Sequence, residues 1–283
     1  MKTYAYIIAF AYFLTAMTGL AQAPQSPKLE KLDSGLALII GSGGNIIVYD
    51  GGGSLLVVDS GDKNTAAEVK ALIAGFSAKP IMNLVITHYH DDHTGGIEVI
   101  GKDAKVFCGQ RCAQSLPKEH PRPVSNLVAF SVKTAIALDN DTVALIPLGP
   151  GHTAGDSVAV FPKAKVVACG DLFFNGIPPF IDVADGSDTA NWIKIIRALA
   201  GEYPDFRFVP GHGPVGSAKD FLKMADYLGA LRDEVGKAVK AGKTREQAQN
   251  EIKLEAFTLQ EMGDFLTKKQ NVGWVYDELT RKK

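Results

Sequence analysis

The segment that most restricts what this chain can become is Thr87-His88-Tyr89-His90-Asp91-Asp92-His93. It follows directly on an apolar run, 84–87, which predicts a short buried strand. Three imidazoles and a carboxylate fall within six residues, His88 to His93. A regular helix or strand cannot aim side chains of this spacing at one point, whereas a loop leaving a strand end can. Histidine and aspartate are the donors that suit a borderline cation such as Zn²⁺. A solvated loop has no need of so many histidines, so the fold must present this strand end as a site.

Other parts of the chain repeat the placement. Gly151-His152-Thr153 follows the run 146–148, and Gly211-His212-Gly213 follows 208–210. Asp171 follows the run 166–169 through Gly170. Each alone reads as an ordinary turn residue. Together they put five of the six histidines at the ends of β-runs, where open sheets place their sites. His120, in a Pro-rich loop at 116–124, is left over.

Strand-like runs are expected at 36–40, 45–49, 54–59, 104–108, 128–137, 142–148, 157–161, 165–169 and 206–209. Helical spacing of apolar residues covers 64–76, about 95–100, and 190–200 with Trp192, Ile195, Ile196 and Leu199. From 216 onward the pattern is helical, at about 217–241 and 244–256, with a weaker tail at 272–279. Most β-runs are joined by short turns, which predicts mixed sheets with helices outside.

The start of the chain reads as a signal peptide over 1–21. Met1-Lys2 is a short positive region, 4–20 is apolar, and small residues follow at Ala21-Gln22-Ala23. A flexible leader is expected over 22–33, and one domain over 34–283 that includes a helical segment at 216–283. The mature protein is expected to be secreted or periplasmic, with no membrane association once the signal is removed. Cys108, Cys112 and Cys169 are an odd set for an exported protein, and Cys108 and Cys112 could close a small disulfide or remain free thiols. The formal net charge of −1 and the lack of a basic cluster beside the motifs argue against a nucleic-acid partner.

His88-x-His90-x-Asp92-His93, then His152, Asp171 and His212 in order, resembles the metallo-β-lactamase superfamily. The likeness runs from about Asn45 to Gly213 and takes in Val58-Asp59-Ser60-Gly61. It implies an α/β fold, the αββα four-layer sandwich, with a helical C-terminal extension. It also implies His88, His90 and His152 on one metal, Asp92, His93 and His212 on a second, and Asp171 between them. Asp59 would orient a ligand from behind, or simply be a strand-end turn residue. The implied cofactor is Zn²⁺, two per chain, with iron or manganese as possible substitutes. Paired divalent cations lower the pKa of a bridging water, which as hydroxide would attack a carbonyl, and Asp92 could orient it and relay a proton.

Relatives differ in detail. The β-lactamases with a Cys ligand and Arg at the His93 position do not match. Those with His there usually lack the Asp171 carboxylate. Asp171 resembles glyoxalase II and lactonases, although Gly211-His212-Gly213-Pro214 lacks the tyrosine-containing signature of glyoxalase II. The expectation is a hydrolase acting on a small-molecule ester, thioester or lactone. β-Lactam hydrolysis and an iron-dependent sulfur dioxygenase are the alternatives. The substrate-binding residues and the oligomeric state are left open, and the apolar stretch 173–180 is divided evenly between pocket wall and core.

Overall fold

The computed structural model describes residues 26–281, apart from 34 and 121. The expected signal peptide lies outside these residues. The first half of the chain supplies β1 (Lys28–Asp33), β2 (Leu36–Ile40), β3 (Ile46–Asp50), β4 (Leu55–Val58), β5 (Ile81–Ile86), β6 (Lys105–Gly109) and β7 (Leu127–Phe130). These form one seven-stranded sheet in sequential order. β1 to β4 pair antiparallel and β4 to β7 parallel. The second half supplies β8 (Thr134–Ala137), β9 (Thr142–Gly149), β10 (Asp156–Phe161), β11 (Val166–Ala168), β12 (Arg207–Val209) and β13 (Gly216–Ser217), again side by side in order. Only β11 and β12 of this second sheet are parallel.

The helices are α1 (Ala66–Phe76), α2 (Asp91–Thr94), α3 (Ile97–Ile100), α4 (Gln110–Ser115), α5 (Thr189–Glu202), α6 (Ala218–Lys240), α7 (Arg245–Glu251) and α8 (Lys268–Thr280). Alternation along the strands decides the layers. On β2, Leu36 and Leu38 join the layer between the sheets with Ile136, Val143 and Phe161. Ala37 and Ile39 face the other way and pack with Val69 and Ile73 of α1. Both faces are buried, so the strands read as continuous apolar runs rather than alternating ones. The outer face of the second sheet, with Val158, Val160 and Val167, packs on Trp192 and Ile196 of α5 and on Phe221 and Leu228 of α6. The result is helix, sheet, sheet, helix. Burying each such side chain contributes about 1.5–3 kcal/mol.

Three expectations need correction. The leader is not flexible throughout: Lys28–Asp33 is strand β1, paired with β2. The run 128–137 is not one strand. It is β7 and β8, which belong to different sheets. The helix expected over 244–256 stops at Glu251, and an irregular stretch leads to α8, which starts at Lys268. The three cysteines are free and buried, so Cys108 and Cys112 form no disulfide here. Among the described residues, no helix is long and apolar enough to cross a membrane.

Candidate metal centre

Five strands, β4, β5, β9, β11 and β12, end at one edge of the sandwich. The chain leaving β5 carries His88 and His90, and α2 carries Asp92 and His93. His152 follows β9, Asp171 sits in the 3₁₀ turn Gly170–Leu172 after β11, and His212 follows β12. The structure brings all seven together in two groups, His88, His90, His152 and Asp171, then Asp92, His93 and His212. The ligand-type atoms in each group lie within 4.8 Å of one another. His120 is elsewhere, beside Glu98 and Arg122.

Each imidazole of the first group has its outer nitrogen engaged. Thr87 Oγ1 donates to Asp59 Oδ2 at 2.9 Å, so toward His88 Nδ1, 3.0 Å away, it can only accept. His90 Nε2 lies 3.0 Å from Asp182 Oδ2, and His152 Nδ1 lies 2.9 Å from the Phe180 carbonyl oxygen. Carboxylates and carbonyls only accept, which fixes the proton of each neutral ring on the outer nitrogen. The inner nitrogens are then bare. His90 Nδ1 is 3.2 Å from His88 Nε2 and 3.0 Å from His152 Nε2. Three lone pairs aimed at one point repel unless a cation lies among them. Nitrogen donors about 2.0–2.1 Å from a tetrahedral Zn²⁺ stand roughly 3.3 Å apart, so the spacing fits.

Asp171 divides its oxygens. Oδ2 faces the first group, 3.4 Å from His152 Nε2 and 3.8 Å from His88 Nε2. Oδ1 faces the second, 3.0 Å from His93 Nε2 and 3.5 Å from His212 Nε2. Asp92 Oδ2 approaches His212 Nε2 at 3.1 Å. His93 Nε2 and Asp171 Oδ1 are buried and, although 3.0 Å apart, are not aligned for a hydrogen bond with each other or with any other group. Buried polar atoms are seldom orphaned, and these two face the position a cation would fill.

Charge balance points the same way. Burial alone would lower His93, but Asp171, Asp92 and Asp59 around it raise it well above the ordinary range. Burial likewise opposes the proton on His212, and Asp171 and Asp92 bring it to about 9. Burial and the neighbouring His93 charge hold His88 well below its usual value. Burial takes His152 down to about 4. Burial would raise Asp92, but His93 and His212 hold it at about 2. These shifts favour positive charge on His93 and His212, facing the carboxylates of Asp92 and Asp171. A divalent cation would displace the protons that carry it.

Asp59 is both a strand-end residue and a positioning group. Its backbone is left-handed at φ 60°, which Asp tolerates better than most residues. That turn aims its carboxylate at the Thr87 backbone N–H (2.8 Å), the Thr87 hydroxyl and His93 Nδ1 (2.8 Å). One side chain therefore steadies both groups. Backbone also closes in: a Cβ on Gly44 would collide with the His93 ring, and one on Gly211 with Asp171 Oδ1. The glycine run at 41–44 is therefore a wall of the site as well as a turn.

Thr87, Asp182 and the Phe180 carbonyl were not visible as site residues in the sequence. Asp182 also accepts from the Tyr89 hydroxyl at 2.7 Å. In the stretch 173–180, Phe173 is core and Phe174 is buried against the His212 ring, stacked at 5.2 Å. Phe180 sits at the mouth, its ring 5.5 Å from His90 and 5.8 Å from His152.

Comparison with known proteins gives a consistent picture. Residues 39–212 match the family described as the metallo-beta-lactamase superfamily. The chain is 29% identical over 150 residues to the 2,4-dinitroanisole O-demethylase subunit alpha of Nocardioides sp. (strain JS1661), covering 50% of this chain and 44% of that protein. It is 24% identical over 231 residues to a metallo-beta-lactamase type 2 of Elizabethkingia meningoseptica, covering 75% of this chain and 89% of that protein. Among solved structures, the sec-alkylsulfatase of Pseudomonas sp. superposes with a TM-score of 0.74 at 18% identity, over 90% of this chain and 50% of that one. Some of these relatives are therefore about twice as long as the matched region.

Proposed function

The chain belongs to the metallo-beta-lactamase superfamily, and on that premise we propose that it is an exported, zinc-dependent hydrolase of small esters, thioesters or lactones. One observation carries the reading: three bare imidazole nitrogens converge in one group, and Asp171 turns one oxygen to each of two groups. His88, His90, His152 and Asp171 would hold one cation, and Asp92, His93, His212 and Asp171 a second. Divalent cations there supply Lewis acidity and a water of lowered pKa.

The chain's own residues divide the remaining work. Asp171 is buried between the groups and fixes their separation. Asp92 is the open carboxylate, with 36% of its side chain exposed. It is the residue placed to orient an attacking water and to pass its proton outward. Asp59, Thr87 and Asp182 hold the ring tautomers, so no imidazole need reorient during turnover. Phe174 and Phe180 flank the site with apolar surface and limit the water around the reacting bond.

The test is metal analysis of the purified protein, followed by a panel of thioesters, lactones, aryl esters, β-lactams and alkyl sulfates. About two zinc ions per chain with carbonyl-ester turnover supports the reading. One iron per chain with oxygen uptake on a persulfide replaces it. The second triad, Asp92, His93 and His212, favours the two-cation form over that one-iron alternative. His88→Ala and His212→Ala should each lose about 10²-fold or more in kcat/KM. Full activity in either variant removes the site assignment.

A further inference from the structure

The irregular stretch between α7 and α8 lies outside the region that matches the family, yet it borders the metal centre. It is tied down at one end where the Gln260 backbone N–H donates to the Gly176 carbonyl at 2.8 Å. Asn175, the neighbour of Gly176, donates its backbone N–H to the His212 carbonyl at 2.9 Å. The stretch then makes a small turn, closed by mutual backbone hydrogen bonds between Met262 and Leu266. At its far end Phe265 packs on Phe180 at 5.2 Å, and both rings pack on Trp274 of α8, at 5.5 and 5.1 Å. Phe180 touches His90 and His152. The stretch thus spans the mouth from the His212 side to the His90 side.

Leu254 is buried in the core and Ile252, Phe257, Leu259 and Leu266 pack against it, whereas Met262 and Phe265 at the turn do not join it. Phe265 is 57% exposed and Met262 51%, so much of each side chain faces outward. The exposed Phe265 ring continues the partly buried aromatic surface of Phe180 and Trp274 toward His90 and His152, and apolar surface so placed beside a polar centre marks a ligand-binding wall. The same turn carries Glu261 and Asp264, which oppose an anionic group at that place. We propose that Phe180, Phe265 and Trp274 form the subsite for an uncharged apolar portion of the substrate, an aryl group or a medium-length alkyl chain beside the scissile bond. The proposal rests on the hydrolytic reading above and narrows its substrate class to esters, thioesters or lactones with such a group.

The experiment uses the full metal-loaded chain and alkanoate esters of a single leaving group, from acetate to octanoate. The wild type should show kcat/KM rising with chain length. The octanoate-to-acetate ratio should fall by about tenfold in Phe265→Ala, a tenfold ratio being worth about 1.4 kcal/mol. Phe265 is exposed, so this variant folds; Phe265→Leu should restore most of the ratio. A second readout is independent of turnover. Trp192 is buried behind His152, so the part of the emission change on adding a non-hydrolysable octyl ketone that depends on Trp274 is the readout. That part should vanish in Trp274→Phe and need a higher ligand concentration in Phe265→Ala. A ratio that is unchanged in Phe265→Ala, in an enzyme that does hydrolyse the esters, overturns the subsite and leaves the hydrolytic reading standing. No turnover of any ester, with the Trp274 response intact and Phe265-dependent, overturns the hydrolytic reading and leaves an apolar binding site.

Discussion

Asp59 spends one carboxylate on three donors from two elements, so its loss should be felt by both metal groups. Asp59→Ala is expected to weaken metal binding about 10–100-fold, read by competition with a chromophoric chelator. Asp182→Ala should act on the first group only, because its carboxylate meets His90, the Tyr89 hydroxyl and the Asp185 backbone N–H, and no residue of the second group. In the cobalt-substituted protein it should change the visible spectrum of one site and leave the other. Equal change at both sites would show that Asp182 acts through general loosening. Asp156 offers a test at a buried carboxylate that belongs to neither metal group. Burial, the largest influence, pushes it up to about 7 from an ordinary 3.8, against the hydrogen bonds from Thr153. An acid that holds its proton more tightly when folded loses stability as pH rises from the unfolded value toward the folded one. Asp156→Asn should therefore gain on the wild type between pH about 4 and about 7 and hold a constant gain above. Urea midpoints of the metal-stripped proteins across that range check it, and parallel curves would reject it. At this scale the site was largely legible. The four donors of 88–93 are adjacent in sequence, and the other three each follow a β-run through a glycine. Asp182 was not, because its meaning arises when a loop folds back onto His90, 92 residues away.

Elements were legible where burial wrote a pattern. β2 to β5 and α5 have apolar runs or stripes that follow from layers on both sides. β1 reads KLEKLD with mostly exposed residues, so it carries no apolar signal and is defined only by pairing with β2. β7 and β8 merge in sequence because each is short and apolar. Only three residues separate them as the chain passes from one sheet to the other. The C-terminal helix shows how far an element can reach. Asn271 of α8 is fully buried, accepts from the Tyr227 hydroxyl at 2.7 Å and donates to the Pro179 carbonyl at 2.7 Å. Pro179 precedes Phe180, whose carbonyl holds His152. Asn271→Ala leaves two buried polar groups unpaired and should cost about 2–4 kcal/mol in chemical denaturation. It should also lower metal affinity in the variant under conditions where it remains folded. A stability loss with unchanged metal affinity would uncouple α8 from the site.

For the molecule as a whole, the export proposed above rests on the apolar start followed by small residues. Fractionation of cells should find a shortened chain outside the cytosol, and full-length protein in the cytosol would refute it. The metal centre has a consequence for assembly of the whole. His88, His90, Asp92 and His93 come from the half of the chain that builds the first sheet, and His152, Asp171 and His212 from the half that builds the second. Each metal group draws on both halves. A cation there is a rivet through two plates: it binds only when the plates are aligned, and it resists their separation. Free metal at about a hundred times its dissociation constant adds about 2.7 kcal/mol per independent site to the resistance against unfolding. Chelation should accordingly lower the melting temperature, and graded metal should raise it with the logarithm of concentration. Ions held there would close the sandwich as well as serve the proposed reaction, so the protein's durability would follow the supply of metal around it.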